Sequence, residues 1–206
     1  MKVKIFGYYF ITDEHLSKAG TLHDVQAAVA AGVQVVQYRC KTNDTGKMRQ
    51  EALALKKICR GVTFIINDRI DIALAVNADG VHVGQEDMPC QIARHLLGPK
   101  KIIGVTARTV AQALQAEKDG ANYLGVSPLF PTLTKKDAGP PVGLQLLQDI
   151  KKQSKLPLVA IGGITLENAA SVIAAGADAI CAISAVVTRE DVEGEIRKFQ
   201  ELFEKT

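Results

Sequence analysis

The sequence predicts an α/β fold, a (β/α)8 barrel of the TIM type built as a single domain over residues 1–206, and three observations lead there. Short apolar runs alternate with longer segments of helical period along the whole chain. The runs number eight, the count that closes such a barrel. Several helix-to-strand junctions repeat one local pattern, as expected when the same unit recurs.

The elements follow in order. The start, Met-Lys-Val-Lys-Ile-Phe-Gly-Tyr-Tyr-Phe-Ile-Thr-Asp, has no long apolar segment or small-residue cleavage site and reads as a first strand, at 7–11. Further strands are expected at 33–39, 63–66, 80–83, 102–105, 123–126, 158–161 and 179–182. Helices are expected near 22–31, 45–60, 69–76, 89–97, 109–118, 143–153, 165–175 and 189–204. Thr21, Asp44, Thr109 and Thr165 are candidate caps, because a side-chain oxygen there can accept from the orphan N–H groups of the first turn. Ala-Gly-Val-Gln-Val-Val (31–36), Asp-Gly-Ala-Asn-Tyr-Leu (119–124) and Ala-Gly-Ala-Asp-Ala-Ile (175–180) share one shape, and Asn-Ala-Asp-Gly-Val-His (77–82) is a looser copy. In each, a helix stops at a residue able to take the left-handed turn and a strand begins at once. Buried strands without polar alternation imply a parallel sheet covered by helices. An open doubly wound sheet is the competitor, weakened because no G-x-G-x-x-G follows the first strand.

Composition narrows the function. The 206 residues are 47% hydrophobic and 23% charged, which excludes a wholly disordered chain. Lys plus Arg at 25 against Asp plus Glu at 22 leaves +3, too balanced for a bulk binder of nucleic acid or membrane surface. Aromatics at 5%, with no tryptophan, argue against a platform for stacking bases. No apolar stretch approaches the ~18 residues that span a bilayer. The four cysteines, at 40, 59, 90 and 181, form no C-x-x-C pair, so a zinc site or disulfide framework is not expected and a cytoplasmic protein is.

Catalytic groups in a barrel belong at the C-terminal ends of strands. Those positions carry Gln37-Tyr38-Arg39-Cys40-Lys41, Asn67-Asp68-Arg69, Gly84-Gln85-Glu86-Asp87 and Thr106-Ala107-Arg108. They continue with Ser127-Pro128-Leu129-Phe130-Pro131-Thr132-Leu133-Thr134-Lys135-Lys136, Gly162-Gly163-Ile164-Thr165 and Ile183-Ser184. Arg39, Lys41 and Lys135 suit a polyanion such as a diphosphate, although each alone could be surface charge. Asp68 and Asp87 on adjacent strands suit Mg²⁺, which favours oxygen ligands and phosphate company; the competing reading is that each Asp caps the next helix. Gly162-Gly163 and Ile183-Ser184 fit the barrel's phosphate-binding position, or the glycines merely permit a turn. His82, within a strand, reads as a satisfied core histidine; His15, His23 and His95 have no partner that the sequence identifies. Cys40 reads as structural or incidental, and no Cys/His pair stands out as nucleophile and base.

Taken together, the motifs resemble the thiamine-phosphate synthase (thiamine-phosphate pyrophosphorylase) family. Gln37-Tyr38-Arg39-Cys40-Lys41 looks like its Q-x-R-E-K element; Asn67-Asp68-Arg69 and Gly84-Gln85-Glu86-Asp87 match N-D-R and G-Q-E-D. Phe130-Pro131-Thr132-Leu133-Thr134-Lys135 is close to F-P-T-x-T-K, the most specific of the set, and Ala160-Ile161-Gly162-Gly163-Ile164 and Ile183-Ser184 match the closing motifs. The similarity runs in order from about residue 8 to 185. It implies a Mg²⁺-dependent transferase that joins an aminopyrimidine methyl diphosphate to a thiazole phosphate, giving thiamine phosphate and pyrophosphate. By that resemblance Gln37 sits against the pyrimidine; Arg39, Lys41, Asn67, Thr106 and Lys135 hold the diphosphate; Asp68 and Asp87 ligate Mg²⁺. Thr132, Thr134, Gly163, Ile183 and Ser184 hold the thiazole phosphate. The partners so implied are these two small molecules, with no nucleic acid and no membrane, and a homo-oligomer is left open.

Three positions depart from the family pattern. Cys40 stands where Glu is usual, Thr106 where Ser is typical and Ser127 where Gly is frequent. Thr keeps the hydroxyl; Cys40 removes a negative charge near the diphosphate site and bears on affinity more than on reaction type. The alternatives are a thiazole tautomerase, a non-catalytic thiazole-phosphate-binding regulator of the same fold, and a phosphate-sugar isomerase or aldolase. The tautomerases carry a histidine shortly after strand 5, where this chain has Thr106-Ala107-Arg108-Thr109, and they tend to lose the cation and carboxylate set retained here. A regulator has no need of leaving-group chemistry. An isomerase or aldolase would need a positioned carboxylate or Schiff-base lysine that the strand ends do not specify.

Overall fold

The computed structural model describes residues 4–41, 44–132, 134 and 139–204. Its strands are β1 (Gly7–Ile11), β2 (Val35–Tyr38), β3 (Thr63–Asn67), β4 (Gly80–Val83), β5 (Ile102–Ala107), β6 (Tyr123–Val126), β7 (Leu158–Ile161) and β8 (Ala179–Cys181). They pair in sequence order, all parallel, and β8 returns to β1, which closes the barrel and removes the open-sheet alternative. The helices are α1 (Thr21–Ala30), α2 (Thr45–Ile58), α3 (Ile70–Ala75), α4 (Cys90–Leu97), α5 (Val110–Lys118), α6 (Gly143–Gln153), α7 (Leu166–Ala174), α8 (Ile183–Val187) and α9 (Val192–Glu204). No described helix is long and apolar enough to cross a membrane.

The repeated junction has a physical basis. Gly32, Asn77, Gly120 and Gly176 all take left-handed backbone, with φ of 82°, 53°, 89° and 106°. In each copy the next residue's N–H reaches back into the preceding helix, from Val33 to Ala28, Ala78 to Ala73, Ala121 to Ala116 and Ala177 to Val172. That is the Schellman closure, which satisfies carbonyls the helix end would leave orphaned. In three copies the following polar side chain then accepts an N–H from the preceding strand: Asp79 from Phe64, Asn122 from Ile103 and Asp178 from Leu158, each at 2.8 Å. One short motif thus ends a helix, starts a strand and pins the neighbouring strand.

Caps at the other helix ends agree in part with expectation. Asp44 accepts from Lys47 N, Thr109 accepts from Gln112 N, and the Asn168 side chain takes the N–H of Thr165. Thr21 is not a cap: Gly20 occupies that position and Thr21 is the first helical residue. Helix α8, five residues long, was not expected from the sequence.

Two cores result. A sleeve between strands and helices is mainly apolar, with Tyr8, Phe10, Phe64, Leu124 and Phe199 among its large side chains. Alternate strand residues point the other way, into the barrel: Tyr9, Ile11, Val35, Ile65, Ile102, Tyr123, Val159 and Cys181 form a separate inner cluster. The same two-residue period carries Gln37 and Arg39 inward on β2 and its extension, at the cavity that opens above this plug.

Candidate active site

A cavity of about 290 Å³ opens at the C-terminal ends of the strands. Gln37, Arg39, Lys41, Asn67, Asp68, Asp87, Thr106, Thr132, Thr134, Gly163, Ile183 and Ser184 all line it. Lys135 lies outside the described residues.

The wall built by β1 to β4 is charged. Thr12, fully buried, donates its hydroxyl to the carbonyl of Arg39 at 3.1 Å and accepts the Arg39 N–H at 2.9 Å, which fixes the chain as it leaves β2. Asp13, almost buried, holds the Arg39 guanidinium at 2.9 Å and also accepts from the N–H groups of His15 and Leu16. Arg39 is therefore presented to the cavity from a fixed support. Glu14 reaches the Cys40 thiol at 3.5 Å and the Lys41 N–H at 3.3 Å. A carboxylate thus comes beside Cys40 from the loop after β1.

Lys41 Nζ lies 2.8 Å from Asp68 Oδ2. Asp68 has a left-handed backbone, φ 62°, held by its N–H donating to the carbonyl of His82 at 2.8 Å. It does not cap α3, whose cap position is Arg69 without a side-chain bond. Asp87 does not cap α4 either; it turns back to accept from Gly84 N at 2.7 Å. Burial raises the Asp87 carboxyl above its ordinary range, the neighbouring Asp68 carboxylate adds to this, and the Gly84 N–H opposes it. Two carboxylates facing each other beside a lysine make a place where a further positive charge relieves repulsion. Among the described residues no group of three or more His, Cys, Asp or Glu side chains surrounds a metal position. A pair fits Mg²⁺ bound jointly by carboxylates, water and substrate phosphate, the usual arrangement for that ion.

Across the mouth, the wall from β6 to β8 is mainly backbone. Gly162 and Gly163 have φ of 98° and 65°. A Cβ on Gly163 would stand 2.5 Å from the carbonyl oxygen of Pro131, and one on Gly162 would stand 2.6 Å from Pro128 Cβ. The glycines do more than permit a turn. They let the loop after β6 lie against the loop after β7, joined by Leu129 N to Ile161 O and Phe130 N to Gly162 O. Helix α8 starts at Ile183 directly after β8, so the free N–H groups of its first turn, including Ile183 and Ser184, belong to the cavity edge.

The floor is polar. Thr106 Oγ1 is 2.9 Å from His82 Nε2, and Gln85 Nε2 donates to the Thr106 carbonyl at 2.6 Å. Cys181 also borders the cavity but is buried, and burial pushes its thiol well above its ordinary value. Sequence reasoning missed Asp13 and the connections of His82. Asp13 follows directly on the first strand, a catalytic-end position, and that was the available signal.

The comparisons agree with the motifs. The thiamine monophosphate synthase family model matches residues 8–186. A thiamine-phosphate synthase of Methanosarcina mazei is 52% identical over 198 residues, covering 96% of this chain and 82% of that one. One from Chloroflexus aurantiacus is 50% identical, covering 96% of this chain and 93% of that one. The solved thiamine phosphate pyrophosphorylase of Pyrococcus furiosus superposes with a TM-score of 0.90 at 38% identity, covering 99% of this chain and 98% of that one. Matched along nearly its whole length in sequence and in fold, the chain belongs to the thiamine-phosphate synthase family.

Proposed function

We propose that this cavity joins an aminopyrimidine methyl diphosphate to a thiazole phosphate, releasing pyrophosphate and thiamine phosphate. The observation that carries this reading is the division of the cavity. Fixed cations and a carboxylate pair form one wall, and a glycine turn with a helix start forms the other. Two different anionic ligands are thereby provided for.

Arg39 and Lys41, with Lys135, take the diphosphate; Asn67 and Thr106 contribute hydrogen bonds to it, and Gln37 meets the pyrimidine edge. Asp68 and Asp87 would hold Mg²⁺, which supplies positive charge against the leaving oxygens. Thr132, Thr134, Gly163, Ile183 and Ser184 take the thiazole phosphate. The C–O bond to the diphosphate breaks with its electron pair leaving on oxygen. The aminopyrimidine delocalises the resulting methylene cation, and the thiazole nitrogen lone pair closes the C–N bond. No protein nucleophile is required. The residues stabilise charge on the leaving group and hold the two partners in line. The unpaired thiols of all four cysteines support a cytoplasmic setting.

The test is an assay with both substrates, scored for thiamine phosphate and pyrophosphate. Chelation of divalent metal should abolish product and added Mg²⁺ should restore it. Asp87→Asn should lower kcat by about 100-fold or more at an unchanged melting temperature, since one charged ligand is lost at an exposed cleft. Lack of product with the parent enzyme, together with rapid thiazole isomerisation, would favour the tautomerase reading.

A further inference from the structure

Beneath the cavity a hydrogen-bonded chain crosses the inside of the barrel, and the reaction as described uses only its two ends. Gln37 Nε2 donates to the Tyr9 hydroxyl at 2.9 Å; the Tyr9 and Tyr123 hydroxyls are 2.6 Å apart. Tyr123 Oη lies 3.0 Å from His82 Nδ1, and His82 Nε2 lies 2.9 Å from Thr106 Oγ1. Tyr9, Gln37, His82 and Tyr123 are all buried. The two ends of the chain, Gln37 and Thr106, both line the cavity.

Space has been kept for it. Gly104 and Gly125 sit mid-strand without left-handed backbone, where a glycine costs strand stability. A Cβ on Gly104 would fall 2.0 Å from Tyr123 Cζ and 2.5 Å from His82 Nδ1; one on Gly125 would fall 3.0 Å from His82 Cε1. The histidine and tyrosine occupy what would otherwise be side-chain volume of the plug.

The direction of the protons follows from counting donors. With the Gln37 amide donating to Tyr9, the Tyr9 hydrogen goes to Tyr123, and the Tyr123 hydrogen goes to His82 Nδ1. His82 then carries its proton on Nε2 and donates to Thr106, whose own hydrogen is left to donate into the cavity. Gln37, having used one N–H below, turns its carbonyl and its second N–H upward. That pair complements the amino group and ring nitrogen on the edge of an aminopyrimidine. Reversing the chain requires the Gln37 amide to rotate, and the Thr106 hydroxyl then donates to His82 and away from the diphosphate. Burial keeps both phenols protonated.

We propose that His82 is a positioning residue that, through Tyr123 and Tyr9, couples the amide orientation of Gln37 to the donor orientation of the Thr106 hydroxyl. Recognition of the pyrimidine edge thereby readies a hydrogen bond for the departing diphosphate. This rests on the placement of the pyrimidine diphosphate over Gln37 and Thr106 given above.

The test is a mutant cycle on the full chain with Mg²⁺ and both substrates. Thr106→Ala should lower kcat/KM for the pyrimidine diphosphate about tenfold or more, and Tyr123→Phe should do so by a similar factor through the broken relay. Combining them should cost no more than about twofold beyond Thr106→Ala alone, and the KM for the thiazole phosphate should stay at its parent value throughout. His82→Gln, which can still donate from the Nε2 position, should retain more activity than His82→Asn; these two read the relay from its other side should Tyr123→Phe fold poorly. Losses that multiply in the double variant, or Tyr123→Phe with unchanged kcat/KM, would overturn the coupling. If Thr106→Ala is itself silent, the placement of the diphosphate is wrong and the inference falls with it, an outcome distinct from multiplicative losses.

Discussion

The sleeve between strands and helices and the plug inside the strands are both buried, yet they are built from different chemistry. The sleeve closes mainly on apolar side chains in van der Waals contact, its directional bonds being single ones at tyrosine tips, from Tyr8 to the Ala182 carbonyl and from Tyr38 to Glu51. The plug combines aliphatic residues with a hydrogen-bonded chain that ends at the cavity. Apolar packing tolerates small rearrangement, whereas a hydrogen bond loses most of its value outside a narrow geometry. The sleeve therefore governs whether the barrel stands, and the plug governs which way its polar groups face.

The largest effect should come from breaking the sleeve. Phe199, fully buried on α9 with its ring tilted against Tyr8 at a 5.4 Å centroid distance, should cost about 3–5 kcal/mol when changed to Ala. Thermal melting should fall by roughly 10 °C, while kcat/KM measured well below the transition remains near the parent value. Breaking the plug should give the reverse balance. Gly104→Ala forces a methyl against Tyr123 and His82, costing about 2–3 kcal/mol, and should also lower turnover even at temperatures where the protein is folded. A Gly104→Ala enzyme with full kcat would show that the plug is only a filler.

Asp13→Asn sharpens the comparison at the cavity wall. It keeps the shape of the group that holds Arg39 but removes its charge, so KM for the pyrimidine diphosphate should change by about tenfold, with little change in melting. The smallest effect belongs to Asp24, buried at the start of α1, where neither carboxylate oxygen meets a hydrogen-bond partner of good geometry among the described residues. Burial raises its carboxyl, with the Ser17 hydroxyl and His23 opposing in part. The unfolded chain thus releases this proton first as pH rises, and stability falls above the ordinary value of 3.8. Asp24→Asn removes that loss. It should melt higher by about 1 kcal/mol of stability at neutral pH, and the advantage should vanish as the pH falls below the carboxylate range.

The same contrast explains what could be read in advance. The strands β2, β4, β6 and β8 were legible because the junction before each carries its own punctuation, a left-handed residue followed in three of them by an Asx side chain. Cavity residues were legible because strand ends are the barrel's catalytic positions. Inward and outward residues were not, since both faces of a barrel strand are apolar and the two-residue period leaves no polar trace. The partners of His82 come from 24 and 41 residues away, at a distance no local pattern reports. The same holds for Asp13, whose arginine lies 26 residues on. Helix α8 escaped because Ile-Ser-Ala-Val-Val continues the apolar run of β8 and is too short to show a helical period. Thr21 misled because a hydroxyl residue in the first turn resembles a cap one position too late.

Asp68 holds a backbone shape that glycine would adopt at no steric cost. A glycine there would relax the turn and, with it, the barrel, while deleting the carboxylate that faces Lys41. Under the proposed role of that carboxylate, selection for heat resistance alone would drive this position toward a sturdier and less active protein. Residue 68 is, under that role, a point where durability and turnover pull in opposite directions.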